Sequence, residues 1–256
     1  MIDLHSHIIF GIDDGPADID SSLRMIEEAE KLGIRLIIAT PHYQSQIFES
    51  EKVKENYWKL VNKARQYEVK IEMGYEVFFR SYEDFFKRNQ KSFTLAGTEK
   101  VLIEIPFNAN PVLCKQIAKT MVQNGLVPII SHPERNRNFL DRLADFVELT
   151  KSGCLIQVDA ASIVGVYGLK VKEFTKKLIK MRLVDMVASN AHCAKDYSDW
   201  YMTAYNNTIR WVGQGEARKL FYYNAKELLN NSTTGAYKNV IELGEIYYDG
   251  NSIKGY

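Results

Sequence analysis

Every histidine in this chain stands at or just beyond the C-terminal end of an apolar, β-branched run, and that placement restricts what the chain can fold into. There are five: His5, His7, His42, His132 and His192. The runs that deliver them read IDLHSH, RLIIATPH, LVPIISHP and DMVASNAH, and two further runs end on a carboxylate, KIEMGYE at Glu76 and KVLIE at Glu104. Side chains two apart on a strand share a face, so His5 and His7 project together and offer two nitrogens to one cation. H-x-H alone is equally consistent with a pair of satisfied core histidines. Random placement, however, would leave some histidines on helix surfaces, and the pattern reads as a metal-site signature.

The intervening sequence alternates between helix and strand periodicities. A strand at 2–7 leads through the DDGP turn to a helix at 18–32, whose apolar positions recur every three to four residues and which Gly33 ends. Strands at 34–39, 69–77, 101–105, 127–131, 155–158 and 184–189 alternate with helices at 50–67, 110–124, 138–151 and 168–180. A short helix is expected at 81–90 and a short strand or loop at SFTLAG; helices at 197–212 and 215–230 precede a weakly patterned tail. Strands separated by crossovers of this length pair in parallel. An open sheet gathers ligands at one switch point, whereas a barrel brings all its strand ends to one rim. Ligands at the ends of six strands therefore predict an α/β fold of the (β/α)7 type, a distorted TIM-like barrel with its metal site at the C-terminal rim. With no linker, repeat or low-complexity segment, residues 1–256 read as a single domain.

Composition narrows the partners. The formal net charge is +1 without a basic block, so nothing attracts nucleic acid. No apolar run approaches the ~18–20 residues of a membrane span, and the first strand begins too early for a signal peptide. Cys114, Cys154 and Cys193 form no C-x-x-C, and their odd number argues against a disulfide framework, so a cytoplasmic location is expected. None of the three has an arginine six residues on, so the cysteine loop of C-x5-R phosphatases is absent.

The H-x-H strand, DDGP, T-P-H, G-x-E, IE, SHPER and the A-H pair after the last strand resemble the PHP-domain (polymerase and histidinol phosphatase) superfamily. Within it, IDLHSHIIFGIDDGP followed by IIATPHY is most similar to the bacterial capsule and exopolysaccharide tyrosine phosphatases, over nearly the whole chain to about residue 230. The resemblance implies three divalent ions, most often Mn²⁺, with Fe or Zn as alternatives that the nitrogen and oxygen donors also suit. It implies that His5, His7, Glu76 and Asn190 hold the first ion, that Glu76, Glu104 and His132 hold the second, and that Asp14, His42 and His192 hold the third. A strongly positive site of this kind favours a phosphate monoester, hydrolysed without a covalent phospho-enzyme. The implied partner is a phosphotyrosine protein, the tyrosine-rich tail of a capsule-type bacterial tyrosine kinase. Histidinol-phosphate phosphatase is the alternative on the same ligand set. Oligomerisation is left open.

Several residues carry further expectations. The resemblance makes Arg135, Glu104 and His42 the catalytic set, and Arg135, Arg137 and Lys195 the substrate-binding one. Arg135 lies three residues beyond His132, where a guanidinium can fork onto phosphate oxygens; the alternative is a surface pair with Glu134. Asp13 is read as making the turn, Asp159 as capping the segment after strand six, and Cys193 as a small buried residue. Tyr43, Phe107, Tyr167 and Trp200 are candidates to line a cleft for an aromatic ring. Two features depart from the family pattern. Asn190 stands where the S-D-A-H motif carries aspartate, so one carboxylate is lost and a weaker first site and slower reaction, or a low-activity regulator, are expected. CAKDYSDW replaces a following Arg-Pro pair.

Overall fold

The computed structural model describes residues 1–43, 50–78 and 93–230. Alternation of strand and helix runs through it as the periodicity implies. The strands are β1 (Ile2–Ser6), β2 (Leu36–Ala39), β3 (His42–Tyr43), β4 (Lys70–Met73), β5 (Glu76–Phe78), β6 (Lys100–Glu104), β7 (Val127–Ser131), β8 (Leu155–Asp159) and β9 (Met186–Ala188). All pair in parallel, in a three-stranded sheet β1-β2-β4 and a six-stranded sheet β3-β5-β6-β7-β8-β9.

The expected seven strands become nine because two of them break. Pro41, which has no N–H to give a ladder, separates β2 from β3, and Gly74-Tyr75 separates β4 from β5. Hydrogen bonds nonetheless cross the gaps, from Gly74 N to Ala39 O at 2.8 Å and from Glu76 N to Pro41 O at 3.1 Å. At the other edge, His7 N donates to Ala191 O and Asn190 N to His5 O, both at 2.9 Å. The fold is thus mixed α/β with parallel strands, while the ladders form two sheets and do not draw the closed ring that the ligand pattern predicts.

Helix boundaries follow local chemistry. The first helix, α1 (Ile19–Lys31), is capped by Asp18, whose side chain accepts from Ser21 N at 2.8 Å, and buries Met25, Ile26 and Ala29. Next comes α2 (Ser50–Lys63); α3 (Pro111–Gln123) starts with Asn110 as cap and Pro111 in its first turn. The helix expected at 138–151 is two, α4 (Arg137–Leu140) and α5 (Leu143–Thr150), because Arg142 leaves helical backbone geometry. A five-residue helix α6 (Ala160–Val164) was not anticipated; α7 (Leu169–Lys180) was. The next expected helix begins with a π-helical stretch, Asp196–Tyr201, before α8 (Met202–Val212). The last divides into α9 (Gln214–Arg218), a π-helical Lys219–Tyr223 and α10 (Asn224–Asn230). SFTLAG ends in a 3₁₀ turn, Leu95–Gly97. The expectations for 81–90 and for the tail lie outside the described residues. No helix among the described residues is long and apolar enough to cross a membrane.

Alternation along the strands places the site. Ile2, Leu4, Leu36, Ile38, Leu102, Ile129 and Met186 meet in one buried cluster, closed by Leu228 and Leu229 of α10. Ile37, Val101, Ile103, Ile130, Ile156 and Val187 belong to the other, larger cluster, which includes α1 and α3 residues. Continuing the inner face by steps of two leads from Leu102 to Glu104, from Ile129 to Ser131 and from Leu155 to Gln157 and Asp159. One face is therefore apolar at the N-terminal end of the strands and polar at the C-terminal end. In β1 the register shifts between Asp3 and Ser6, and this irregularity turns His5 and His7 toward the polar end.

Asp3 ties β1 to the segment after β9. It is buried and accepts from Ser189 N at 2.9 Å, Ser189 Oγ at 2.5 Å and Tyr197 Oη at 2.8 Å. Burial raises its pKa against these bonds, so the network is sensitive to losing a donor. Tyr197→Phe is expected to cost about 1–3 kcal/mol, read as a lower urea midpoint at unchanged m-value.

Candidate metal centre

Glu76, at the start of β5, is the centre of the site and is 1% exposed. Its Oε2 lies 3.3 Å from His5 Nε2, 3.4 Å from His7 Nε2 and 3.2 Å from His42 Nδ1, and its Oε1 lies 3.1 Å from His132 Nε2. Ser131 Oγ donates to Oε1 at 2.7 Å. Burial alone would raise the carboxyl pKa, yet the surrounding imidazoles hold it well below the usual range.

The ring tautomers show what the cluster lacks. His5 Nδ1 donates to Gln157 Oε1 at 2.9 Å, and His7 Nδ1 donates to Asp13 Oδ2 at 2.8 Å. In the tautomer that places the N–H at Nδ1 of each ring, both Nε2 lone pairs face each other across 3.2 Å, with a carboxylate oxygen beside them. Three electron pairs converge on one point, an arrangement that a cation would stabilise. Edges of 3.2–3.4 Å are also the spacing of donors sharing an ion through bonds of about 2.0–2.1 Å.

A second group lies toward solvent. Asp14 Oδ1 is 3.3 Å from His192 Nε2 and 3.5 Å from His42 Nε2. Burial opposes the charge on His42, but Asp14, Glu76 and Glu104 outweigh it and push its pKa up to about 11; His132, beside Asp159 and Glu76, rises to about 9. Glu104 Oε2 is 3.7 Å from His42 Nδ1, and burial together with the Glu76 charge raises its pKa. Among the described residues, three donor sets could hold an ion: His5, His7 and Glu76; His42, Glu76 and Glu104; and His7, Asp14, His42 and His192. The chain thus brings the expected histidines and carboxylates together, with His42 nearer the Glu76–Glu104 pair than foreseen and His132 on the opposite oxygen of Glu76.

Local backbone supports this delivery. His132 and Asn190, just after β7 and β9, have φ of 35° and 50°. Asparagine tolerates that region, whereas for His132 it is strained by about 1–3 kcal/mol. In the DDGP turn a Cβ on Gly15 would lie 2.2 Å from His7 O, so only glycine lets the turn close over β1. Asp13 does more than make that turn: Oδ2 also accepts His42 N at 3.0 Å, so one carboxylate orients two imidazole-bearing segments. Asp196 is a positioning residue that sequence reasoning missed; its Oδ2 accepts His192 N at 2.7 Å and Cys193 N at 3.1 Å.

Around Arg135 the structure corrects the sequence reading. Glu134 is fully buried and accepts from Asp159 N at 2.9 Å and Ser162 Oγ at 2.6 Å, so it forms no surface pair with its neighbour. Arg135 instead reaches Asp159 Oδ2 at 3.4 Å, with its guanidinium 4.5 Å from the Phe107 ring centroid and 3.9 Å from that of Tyr167. Asp159 stands at the cap position of α6, but its side chain makes no capping bond. Arg137 and Lys195 are exposed, and Cys193 is exposed where a small buried residue was expected. Tyr43 is fully buried in the core, while Phe107 is 42% exposed beside Arg135.

Comparison with known proteins identifies relatives of this chain. A solved structure from the pair YwqE of Bacillus subtilis and CpsB of Streptococcus pneumoniae, described as metal-dependent tyrosine phosphatases, aligns with a TM-score of 0.80 at 29% identity, over 91% of this chain and 96% of that one. The tyrosine-protein phosphatase YwqE of Bacillus subtilis is 31% identical over 239 residues, 91% of this chain and 93% of the relative. Histidinol phosphate phosphatase of Lactococcus lactis shares the fold, with a TM-score of 0.54 at 12% identity over 83% of this chain and 94% of that one. The capsular polysaccharide synthesis family CpsB/CapC matches residues 1–230. The chain belongs to the CpsB/CapC family.

Proposed function

We propose that this chain is a metal-dependent protein-tyrosine phosphatase that acts on a phosphotyrosine protein of capsule or exopolysaccharide synthesis, the tyrosine-rich tail of a bacterial tyrosine kinase. The observation that carries the reading is the set of donors His5 Nε2, His7 Nε2 and Glu76 Oε2, converging with edges of 3.2–3.4 Å. The remaining donors fit cations as well: Asn190 Oδ1 is buried without a hydrogen-bond partner, and oxygen and nitrogen donors without thiolate suit Mn²⁺, Fe or Zn. His5, His7, Glu76 and Asn190 would hold a first ion, Glu76, Glu104 and His132 a second, and Asp14, His42 and His192 a third, with Mn²⁺ the first choice.

Bound there, divalent cations supply an activated water and neutralise the phosphoryl oxygens. The chain's own side chains do the rest. Glu76 belongs to two of the donor sets and would serve both ions. Asp13 and Gln157 accept from the Nδ1 atoms of His7 and His5, which orients both rings with Nε2 inward. Glu104 and His42, 16% and 23% exposed, reach the mouth of the site and form the catalytic set with Arg135, whose guanidinium is placed to fork onto phosphate oxygens. Phe107 and Tyr167 give that arginine aromatic walls, which suits an aryl phosphate. Arg137 and Lys195, both exposed, would contact the peptide. A cytoplasmic place of action, a single domain and a seven-stranded barrel complete the reading; the hydrogen bonds from β1 to the segment after β9 support the last.

Two measurements test this. Chelation should abolish hydrolysis of a phosphotyrosine peptide and added Mn²⁺ should restore it; faster turnover of histidinol phosphate than of the peptide would move the substrate assignment to the small molecule. Arg135→Lys keeps the charge but loses the fork and the stacking, and should lower kcat/KM by about 10–100-fold with metal content unchanged by elemental analysis. A wild-type kcat/KM in this variant would remove Arg135 from the phosphate site.

A further inference from the structure

Asp159 ends β8 on the inner face, and its side chain is completely buried. It makes no capping bond to α6, so helix initiation does not explain it. Three donors converge on it instead. Gln157 Nε2 lies 3.1 Å from Oδ1, and Asn190 Nδ2 and Arg135 Nη1 lie 3.2 and 3.4 Å from Oδ2.

Each of those donors is a part of the site. A carboxylate can only accept, so Asp159 turns the amide nitrogens of Gln157 and Asn190 toward itself and their oxygens away. The Gln157 oxygen then accepts a hydrogen bond from His5 Nδ1 at 2.9 Å, which turns His5 Nε2 toward the other donors. The Asn190 oxygen, buried and without a partner, is left to accept a cation. Arg135 is held at the mouth by the same oxygen that orients Asn190.

We propose that Asp159 is the positioning carboxylate of the first metal site, supplying from β8 the negative charge that Asn190 does not bring and setting both Asn190 and His5 for the cation. The inference rests on the metal assignment above. It revises the expectation that Asn190 weakens the first site: the charge is present one strand away, and asparagine at 190 is the residue that lets Asp159 use it, since a second carboxylate there would face the first.

A double-mutant cycle read by Mn²⁺ binding, with calorimetry and electron paramagnetic resonance and no substrate present, tests it on the full chain. Asp159→Asn in the Asn190 background should lower first-site Mn²⁺ affinity by about 10–100-fold. In the Asn190→Asp background the same change should cost nothing or improve binding, because the carboxylate is then at 190. That second comparison also decides the matter if the single Asp159→Asn variant does not fold. Equal losses in both backgrounds, or wild-type affinity in Asp159→Asn, would overturn the proposal while leaving the phosphatase reading intact. Failure of the unmodified chain to take up Mn²⁺ would overturn both.

Discussion

One buried carboxylate with imidazoles on every side, Glu76, is the constraint on which this structure turns. An ionised group taken out of water costs several kcal/mol, and here the cost is met by four imidazoles delivered from three places in the chain. His5 and His7 come from β1 and the residue just past its end, His42 from β3, and His132 from just after β7. None of these segments can shift without exposing or stranding the charge. The short strands β3 and β5, two and three residues long, owe their positions to this cluster as much as to their ladders.

The same economy appears along the inner face of the strands. Apolar residues at one end pack on α10, and the residues in phase with them at the other end are Glu104, Ser131, Gln157 and Asp159. A single alternation therefore builds both core and site. The register shift in β1 and the left-handed backbone at His132 and Asn190 mark the places where the regular pattern had to bend to bring a donor in.

Much of this was legible in the residues. Histidines at strand ends identify the polar end of the strands, because period-two alternation and parallel pairing leave few other ways to use them. The helix starts expected at 18 and 110 fall within one residue of those of α1 and α3, where Asp18 and Asn110 are the caps. What stayed hidden depends on contacts far apart in sequence. The break at Pro41 looks like the end of a strand, although pairing resumes at the next residue, His42. Helix α6 is too short to show a period, and the π-helical turn at Asp196–Tyr201 looks like ordinary helix. Asp159 reads locally as a cap, and only its distance to Asn190, thirty-one positions away, assigns it elsewhere. Glu134 beside Arg135 suggests an ion pair that burial forbids.

The setting of Arg135 has a consequence for the entropy of recognition. A free arginine side chain holds about 2 kcal/mol of rotamer freedom, which an anion must ordinarily extract when it binds. Here the guanidinium is already layered between Phe107 and Tyr167 and tethered at its edge by Asp159. Folding has absorbed that loss in advance, so any anion that reaches this guanidinium meets a fork whose orientation is already chosen.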